Sequence, residues 1–193
     1  MNIEELDKLL GACDGNHSVM FPLLKNRLGI YKDHELPFPE EFLFFEDKYL
    51  IIKKHIIENN ISTEIVDIGC QYGFQSEIFL DSPSYIGIDC QLHKFFNQDK
   101  ENINYVVGLF PDVNVDIKEK TVISCMSLGY FNKLIDEDIK KANDIIARSL
   151  SVANTLYISS TEKLIKEASK YYKEKTMLYA SKTGDYNMYV LSK

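Results

Sequence analysis

Glu64-Ile65-Val66-Asp67-Ile68-Gly69-Cys70-Gln71-Tyr72-Gly73 is the stretch on which the reading of this chain turns. A short run rich in β-branched residues passes into a loop with two glycines, and residues 74–80 continue with helical spacing. A strand that leads straight into a helix puts its loop at the carboxyl end of the strand, where free backbone N–H groups face a ligand. Gly69 lets the turn bend tightly and lets a ligand approach the backbone, and Gly73 lets the helix start close against the strand. Plain strand-to-helix punctuation uses the same residues, so the loop alone is a weak signal.

Downstream, Asp81-Ser82-Pro83 stops the helix and Tyr85-Ile-Gly-Ile-Asp89 forms a second strand, ending in an acid twenty positions beyond Gly69. A carboxylate there accepts both hydroxyls of a ribose, which is why nucleotide-type sites place one at that point. Residues 104–107, 121–125 and 155–159 are further strands. Asp136 is expected to cap a helix carrying Ile139, Ala142, Ile145, Ile146 and Leu150, and Thr161 a helix reaching Tyr172. Strands alternating with helices imply parallel βαβ units. Residues 176–180 and 186–191 are two strands joined only by Ser181-Lys-Thr-Gly-Asp185, too short a link for anything but an antiparallel hairpin. The expected fold is therefore α/β: a mostly parallel sheet with helices on both faces, in three layers, closed by an antiparallel C-terminal hairpin.

Upstream, Asn2 and Glu5 form a capping box for a helix over residues 2–11, with Gly11 as its stop. Residues 12–38 read as irregular, punctuated by Gly15, Pro22, Gly29 and Pro37. Pro39 suits a first helical position, and Phe42, Phe45, Tyr49, Ile52 and Ile56 then recur at steps of three and four until Asn59-Asn60. Lys53-Lys54-His55 lies where this helix should end, so the helix dipole accounts for the basic run. Residues 1–62 thus form a helical N-terminal cap, and residues 63–193 the α/β part of one structural unit.

The bulk numbers narrow the function. A chain of 193 residues suits one domain and buries enough surface to need neither metal nor disulfide. Cys13, Cys70, Cys90 and Cys125 form no Cys-x-x-Cys pair, and His17, His34, His55 and His93 form no ligand motif, so no metal site is expected. The cysteine pattern fits reduced thiols, the N-terminus carries no signal pattern, and no apolar run approaches the roughly 20 residues of a membrane span. A cytoplasmic protein without membrane partners is the expectation. The net charge of −7 argues against a nucleic-acid partner, since grip on a phosphate backbone needs a basic surface.

Val66-Asp67-Ile68-Gly69-Cys70-Gln71-Tyr72-Gly73 resembles the first motif of the class I S-adenosylmethionine-dependent methyltransferases, and Tyr85-Ile86-Gly87-Ile88-Asp89 resembles their second. The terminal hairpin is also like theirs. The resemblance runs from about Glu64 to the C-terminus and implies a Rossmann-like methyltransferase fold with a seven-stranded sheet. It implies that Asp67, Gly69, Cys70, Gln71 and Gly73 surround the methionine part of S-adenosylmethionine. Asp89 would hold the ribose, with Cys90 and Gln91 beside the adenine and Leu109 and Phe110 on its other face. Ser127 and Tyr130, after the fourth strand, would line the substrate pocket. Residues 1–62 would be the variable cap that shapes the substrate site.

Three departures stand against it. Gln71 replaces the family's middle glycine, Leu109 stands where an acid often binds the adenine amino group, and no Asp/Asn-Pro-Pro-Tyr/Phe follows the fourth strand. The last absence disfavours methylation of an exocyclic base or amide nitrogen. A nicotinamide dinucleotide site fits less well, because it requires G-x-G-x-x-G where this loop has G-x-x-x-G. The expected function is methyl transfer to a small-molecule or protein acceptor. The alternative is a methyltransferase fold that has lost catalysis and serves as a binding or scaffold protein. The sequence is silent on the acceptor, the catalytic residues and the oligomeric state.

Overall fold

The computed structural model describes residues 2–13, 39–71, 73–91, 100–129, 135–180 and 187–193, without the side chains of residues 9–13, 39–47, 74 and 77. The described elements are α1 (Ile3–Cys13), α2 (Pro39–Glu58), β1 (Glu64–Ile68), a 3-10 helix (Phe74–Phe79), β2 (Ser84–Asp89), β3 (Ile103–Val107), β4 (Thr121–Cys125), α3 (Asp136–Leu150), β5 (Thr155–Ser159), α4 (Glu162–Ser169), β6 (Glu174–Tyr179) and β7 (Met188–Ser192). Tyr72, His93, Tyr130, the segment 14–38 with His17, Tyr31 and His34, and the connection 181–186 lie outside the described residues.

The seven strands form one sheet in the order β3-β2-β1-β4-β5-β7-β6. β1 to β5 pair in parallel, and β7 runs antiparallel to both β5 and β6. The expected α/β fold with its C-terminal antiparallel hairpin is therefore present. Strand order reverses between β1 and β4, and a doubly wound sheet opens its ligand crevice at such a point. β4 and β5 are buried at every position, as central parallel strands covered on both faces must be.

Side chains alternate along the strands and divide the core in two. One face carries Ile65, Tyr85, Ile103, Ile123, Tyr157 and Val190, packed against Leu6 of α1, Tyr49, Leu50, Ile52 and Ile56 of α2, and Phe79. The other carries Val66, Ile68, Ile88, Val122, Leu156 and Ile158, packed against Ile146, Ala147 and Leu150 of α3 and Leu164, Ile165 and Ala168 of α4. Three layers result from these two clusters. Among the described residues no helix is long and apolar enough to cross a membrane.

Several local expectations need correction. The helix after the loop is a six-residue 3-10 helix, Phe74–Phe79, because the chain turns at residues 80–83 to enter β2 at Ser84 and leaves room for little more than two tight turns. The capping box of α1 forms as expected, with the Glu5 N–H donating to Asn2 Oδ1 at 2.9 Å and the Asn2 N–H to Glu5 Oε2 at 3.1 Å. That helix runs through Gly11 to Cys13. Asp136 lies inside the first turn of α3, with Ile135 at the cap, so it acts on the helix dipole by charge. Thr161 does cap α4, accepting from the Leu164 N–H at 3.4 Å, and the helix ends at Ser169.

The basic run of α2 is not explained by the dipole alone. Lys53 is buried and its ammonium lies 2.5 Å from Asp81 Oδ1, in the turn before β2. Lys54 pairs with Asp7 of α1, and His55 Nδ1 lies 2.9 Å from Tyr157 Oη on β5. Three consecutive polar residues thus join α2 to three different parts of the molecule.

Candidate functional site

The loop after β1 has a backbone that glycine suits. Gly69, Gln71 and Gly73 all take positive φ, at 76°, 47° and 73°. Gln71 occupies the position where the resemblance has glycine and adopts a glycine-like conformation, at a cost of about 1–2 kcal/mol for a residue with a Cβ. The conformation is held from outside. The Gln71 N–H donates to Asp89 Oδ2 at 2.9 Å, and the Gly69 and Cys70 N–H groups both donate to the Ile88 carbonyl, at 2.7 and 3.1 Å.

Asp89, the last residue of β2, gathers the neighbouring loops. Its other carboxylate oxygen accepts from the Gln91 N–H at 3.1 Å, and its backbone carbonyl accepts from the Gly108 N–H at 2.8 Å. The loops after β1, β2 and β3 are therefore all tied to this one residue. Asp89 is half-buried.

Asp67 faces the opposite way, into the core beneath α2. It is wholly buried. Tyr49 Oη donates to its Oδ1 at 3.0 Å, while Tyr85 Oη and Gln75 Nε2 donate to Oδ2 at 2.6 and 2.8 Å. Burial raises the Asp67 carboxyl to about 6, against these three bonds, which lower it, and with a small further push from Asp89. The phenols of Tyr49 and Tyr85 are raised in turn, by burial first and then by Asp67.

Two side chains fill the space that the glycines leave. A Cβ on Gly69 would lie 1.9 Å from Cβ of Ser127. The Ser127 hydroxyl donates to the Ile68 carbonyl at 2.5 Å and lies 2.9 Å from Ser124 Oγ, so it joins β4 to β1 across the switch point. A Cβ on Gly73 would lie 2.5 Å from the ring of Tyr105, which also leaves no room for one on Gly87. Tyr105 Oη donates within reach of the Gly73 carbonyl at 2.9 Å and of Ser76 Oγ at 2.8 Å.

The remaining expected site residues divide. Cys70 is buried, and burial pushes its thiol far up, so it is a packing residue rather than a nucleophile. Cys90 and Gln91 are exposed beside Asp89. Leu109 is 66% exposed, whereas Phe110 packs on the apolar cluster shared with α3. Gly69, Cys70, Gln71, Gly73, Asp89, Gln91 and Ser127 thus meet at the carboxyl ends of β1, β2 and β4, and Asp67 lies beneath them.

Sequence reasoning missed Tyr49, Gln75, Tyr85 and Tyr105. A carboxylate in a buried strand requires donors, which is a signal that partners exist. It does not say which, because Tyr49 and Tyr85 lie eighteen positions from Asp67 on either side.

No protein-family model and no curated sequence matches the chain. Solved structures do resemble it. Magnesium protoporphyrin IX methyltransferase (ChlM) from Synechocystis PCC 6803 with bound SAH superposes with a TM-score of 0.55 at 13% identity, covering 86% of this chain and 91% of that one. The N-terminal domain of EvdMO1 with SAH bound gives a TM-score of 0.54 at 10% identity, covering 89% and 95%. The bifunctional kinase-methyltransferase WbdD gives 0.56 at 14% identity over 77% of this chain, which spans only 39% of the WbdD chain. At these identities the likeness is one of fold: the chain has the seven-stranded α/β fold of these methyltransferases.

Proposed function

We propose that the chain binds S-adenosylmethionine across the carboxyl ends of β1 and β2 and transfers its methyl group to a small-molecule or protein acceptor. The observation that carries this reading is the convergence on Asp89. One carboxylate at the end of β2 holds a loop of three positive-φ residues at the end of β1, beside the point where strand order reverses. The SAH bound to the like-folded ChlM and EvdMO1 domain supports it.

In this reading the Asp89 carboxylate accepts the ribose hydroxyls, and the left-handed backbone at Gly69, Gln71 and Gly73 gives the amino-acid part of the cofactor close access to the chain. Cys90, Gln91, Leu109 and Phe110 flank the base. Bound S-adenosylmethionine supplies an electrophilic methyl group. The protein's part is to align an acceptor in line with it and to exclude water. Ser127 and Tyr130 are placed, in this proposal, where the acceptor enters.

One observation favours a second reading, a methyltransferase fold that binds without catalysing. The Ser127 hydroxyl is engaged by Ile68 and Ser124, and no acid or histidine stands among residues 125–129. Incubation with S-adenosylmethionine labelled in its methyl group, against a panel of small-molecule and protein acceptors, separates the two. Label carried to an acceptor supports the first, and binding without transfer to any acceptor supports the second.

A further inference from the structure

We propose that Gln75 is a positioning residue that sets the plane of the Cys70–Gln71 peptide and, through it, the orientation of the Asp89 carboxylate. The proposal rests on the cofactor reading for its functional meaning, and on hydrogen-bond geometry for its structural content.

The C=O of Cys70 and the N–H of Gln71 belong to one planar trans peptide, so they point in opposite directions. The structure holds both ends. On one side, the Cys70 carbonyl accepts from Gln75 Nε2 at 2.8 Å and from the Gly73 N–H at 2.9 Å. On the other, the Gln71 N–H donates to Asp89 Oδ2 at 2.9 Å. The peptide is clamped between a buried amide and the carboxylate at the end of β2. Without Gln75 the Cys70 carbonyl keeps only the Gly73 N–H from the same loop and loses its tie to the core, so the peptide can rotate with the loop and relieve Gln71 of its left-handed φ of 47°.

Gln75 is itself fixed. Its side chain is buried, and its amide has two N–H bonds to give. One goes to Cys70; the other goes to Asp67 Oδ2 at 2.8 Å, with Tyr49 Oη more distant at 3.4 Å. Asp67 is held by Tyr49 from α2 and Tyr85 from β2. Both rings pack on Phe79, Tyr85 stacked at 5.8 Å and Tyr49 edge-on at 6.5 Å. A line of polar contacts therefore runs from α2 through Asp67 and Gln75 to the loop and ends at Asp89. The Gln75 amide is the link that carries it from the core to the loop. This gives Asp67, the acid of the first motif, a role that needs no contact with a ligand.

The test compares wild type with Gln75→Met, which keeps length and bulk without donors, and Gln75→Glu. Amide hydrogen exchange is followed by NMR in the ligand-free protein, and S-adenosylhomocysteine affinity by calorimetry. In Gln75→Met the Gln71 amide is expected to exchange at least tenfold faster, while Ile123 in β4 is unchanged, and affinity falls at least tenfold. In Gln75→Glu the Gln71 amide is expected to regain protection, after correction for intrinsic rates, as pH falls from 8 to 5. A proton taken up on the Glu oxygen that faces Cys70 restores the donor to that carbonyl, which a carboxylate lacks. Should Gln75→Met fail to fold, this pH series decides alone. Unchanged Gln71 exchange in Gln75→Met, or a Gln75→Glu profile parallel to wild type, overturns the clamp. If wild type binds no S-adenosylhomocysteine, the cofactor reading falls and with it the functional half of the proposal, while the exchange result still decides the clamp.

Discussion

The Gln71 N–H meets the Asp89 carboxylate at 2.9 Å and ties the loop after β1 to the end of β2. This contact explains how a residue other than glycine survives at a left-handed position. It also predicts what glycine does there. Gln71 is exposed, so Gln71→Gly removes strain of about 1–2 kcal/mol and adds unfolded-state entropy worth about 0.5–1 kcal/mol. Urea denaturation should find Gln71→Gly between neutral and about 1.5 kcal/mol more stable, and Gln71→Val less stable by about 1–2 kcal/mol. A marked loss with glycine contradicts the strain argument.

Gly69 and Ser127 occupy adjoining space. Gly69→Ala places a Cβ 1.9 Å from that of Ser127 and forces alanine to φ 76°, so a loss of about 3 kcal/mol is expected. Adding Ser127→Gly removes the overlap and leaves the strain. The double variant should therefore be more stable than the sum of the singles predicts, by about 1 kcal/mol in a thermal or denaturant cycle. Strict additivity would show that the two positions do not touch.

Asp67 makes stability depend on pH in a defined direction. Its folded carboxyl titrates near 6, above the roughly 3.9 of an unfolded chain. The folded state therefore binds the extra proton between those values. The resulting stabilisation is full below about 4 and is lost as pH rises through 6, with a limit of about 3 kcal/mol. Wild type should gain on Asp67→Asn, measured by denaturant midpoint, as pH falls from 7 to 4. A gain in the opposite direction would mean that the three donors outweigh burial.

Lys53 is 2% exposed and Asp81 46% exposed, so their pair is asymmetric. Asp81→Ala leaves a buried ammonium without this partner and should cost about 2 kcal/mol, below the figure for a fully buried pair because water reaches Asp81. Lys53→Met removes the charge, keeps the packing on Phe79, and should lie within about 1 kcal/mol of wild type. Equal losses from both changes would contradict the asymmetry.

Much of the fold was legible because it is written in local pattern. β1, β4 and β5 are short apolar runs, and a connection of a few residues between β6 and β7 excludes a crossover. Asp89 was legible because it closes an apolar run, at the spacing from Gly69 that a ribose-binding acid requires. The network under the loop was not. Lys53 and Asp81 are 28 positions apart and His55 and Tyr157 are 102, so the basic run of α2 read locally as a helix end. The 3-10 helix was also hidden, since six residues fit either helical spacing and the turn into β2 decides between them. Gln75 carried no mark of its own: an amide near a glycine loop is ordinary until its two acceptors are seen.

The central claim is that Asp89 and the loop it holds form a cofactor site. Calorimetric titration of the purified protein and of Asp89→Ala with S-adenosylhomocysteine tests it most directly. The expected result is saturable one-to-one binding by wild type, weakened at least tenfold by Asp89→Ala through the loss of charge-assisted bonds worth about 1.5–3 kcal/mol. No heat of binding with folded wild type, or equal affinity in the two proteins, would contradict the account.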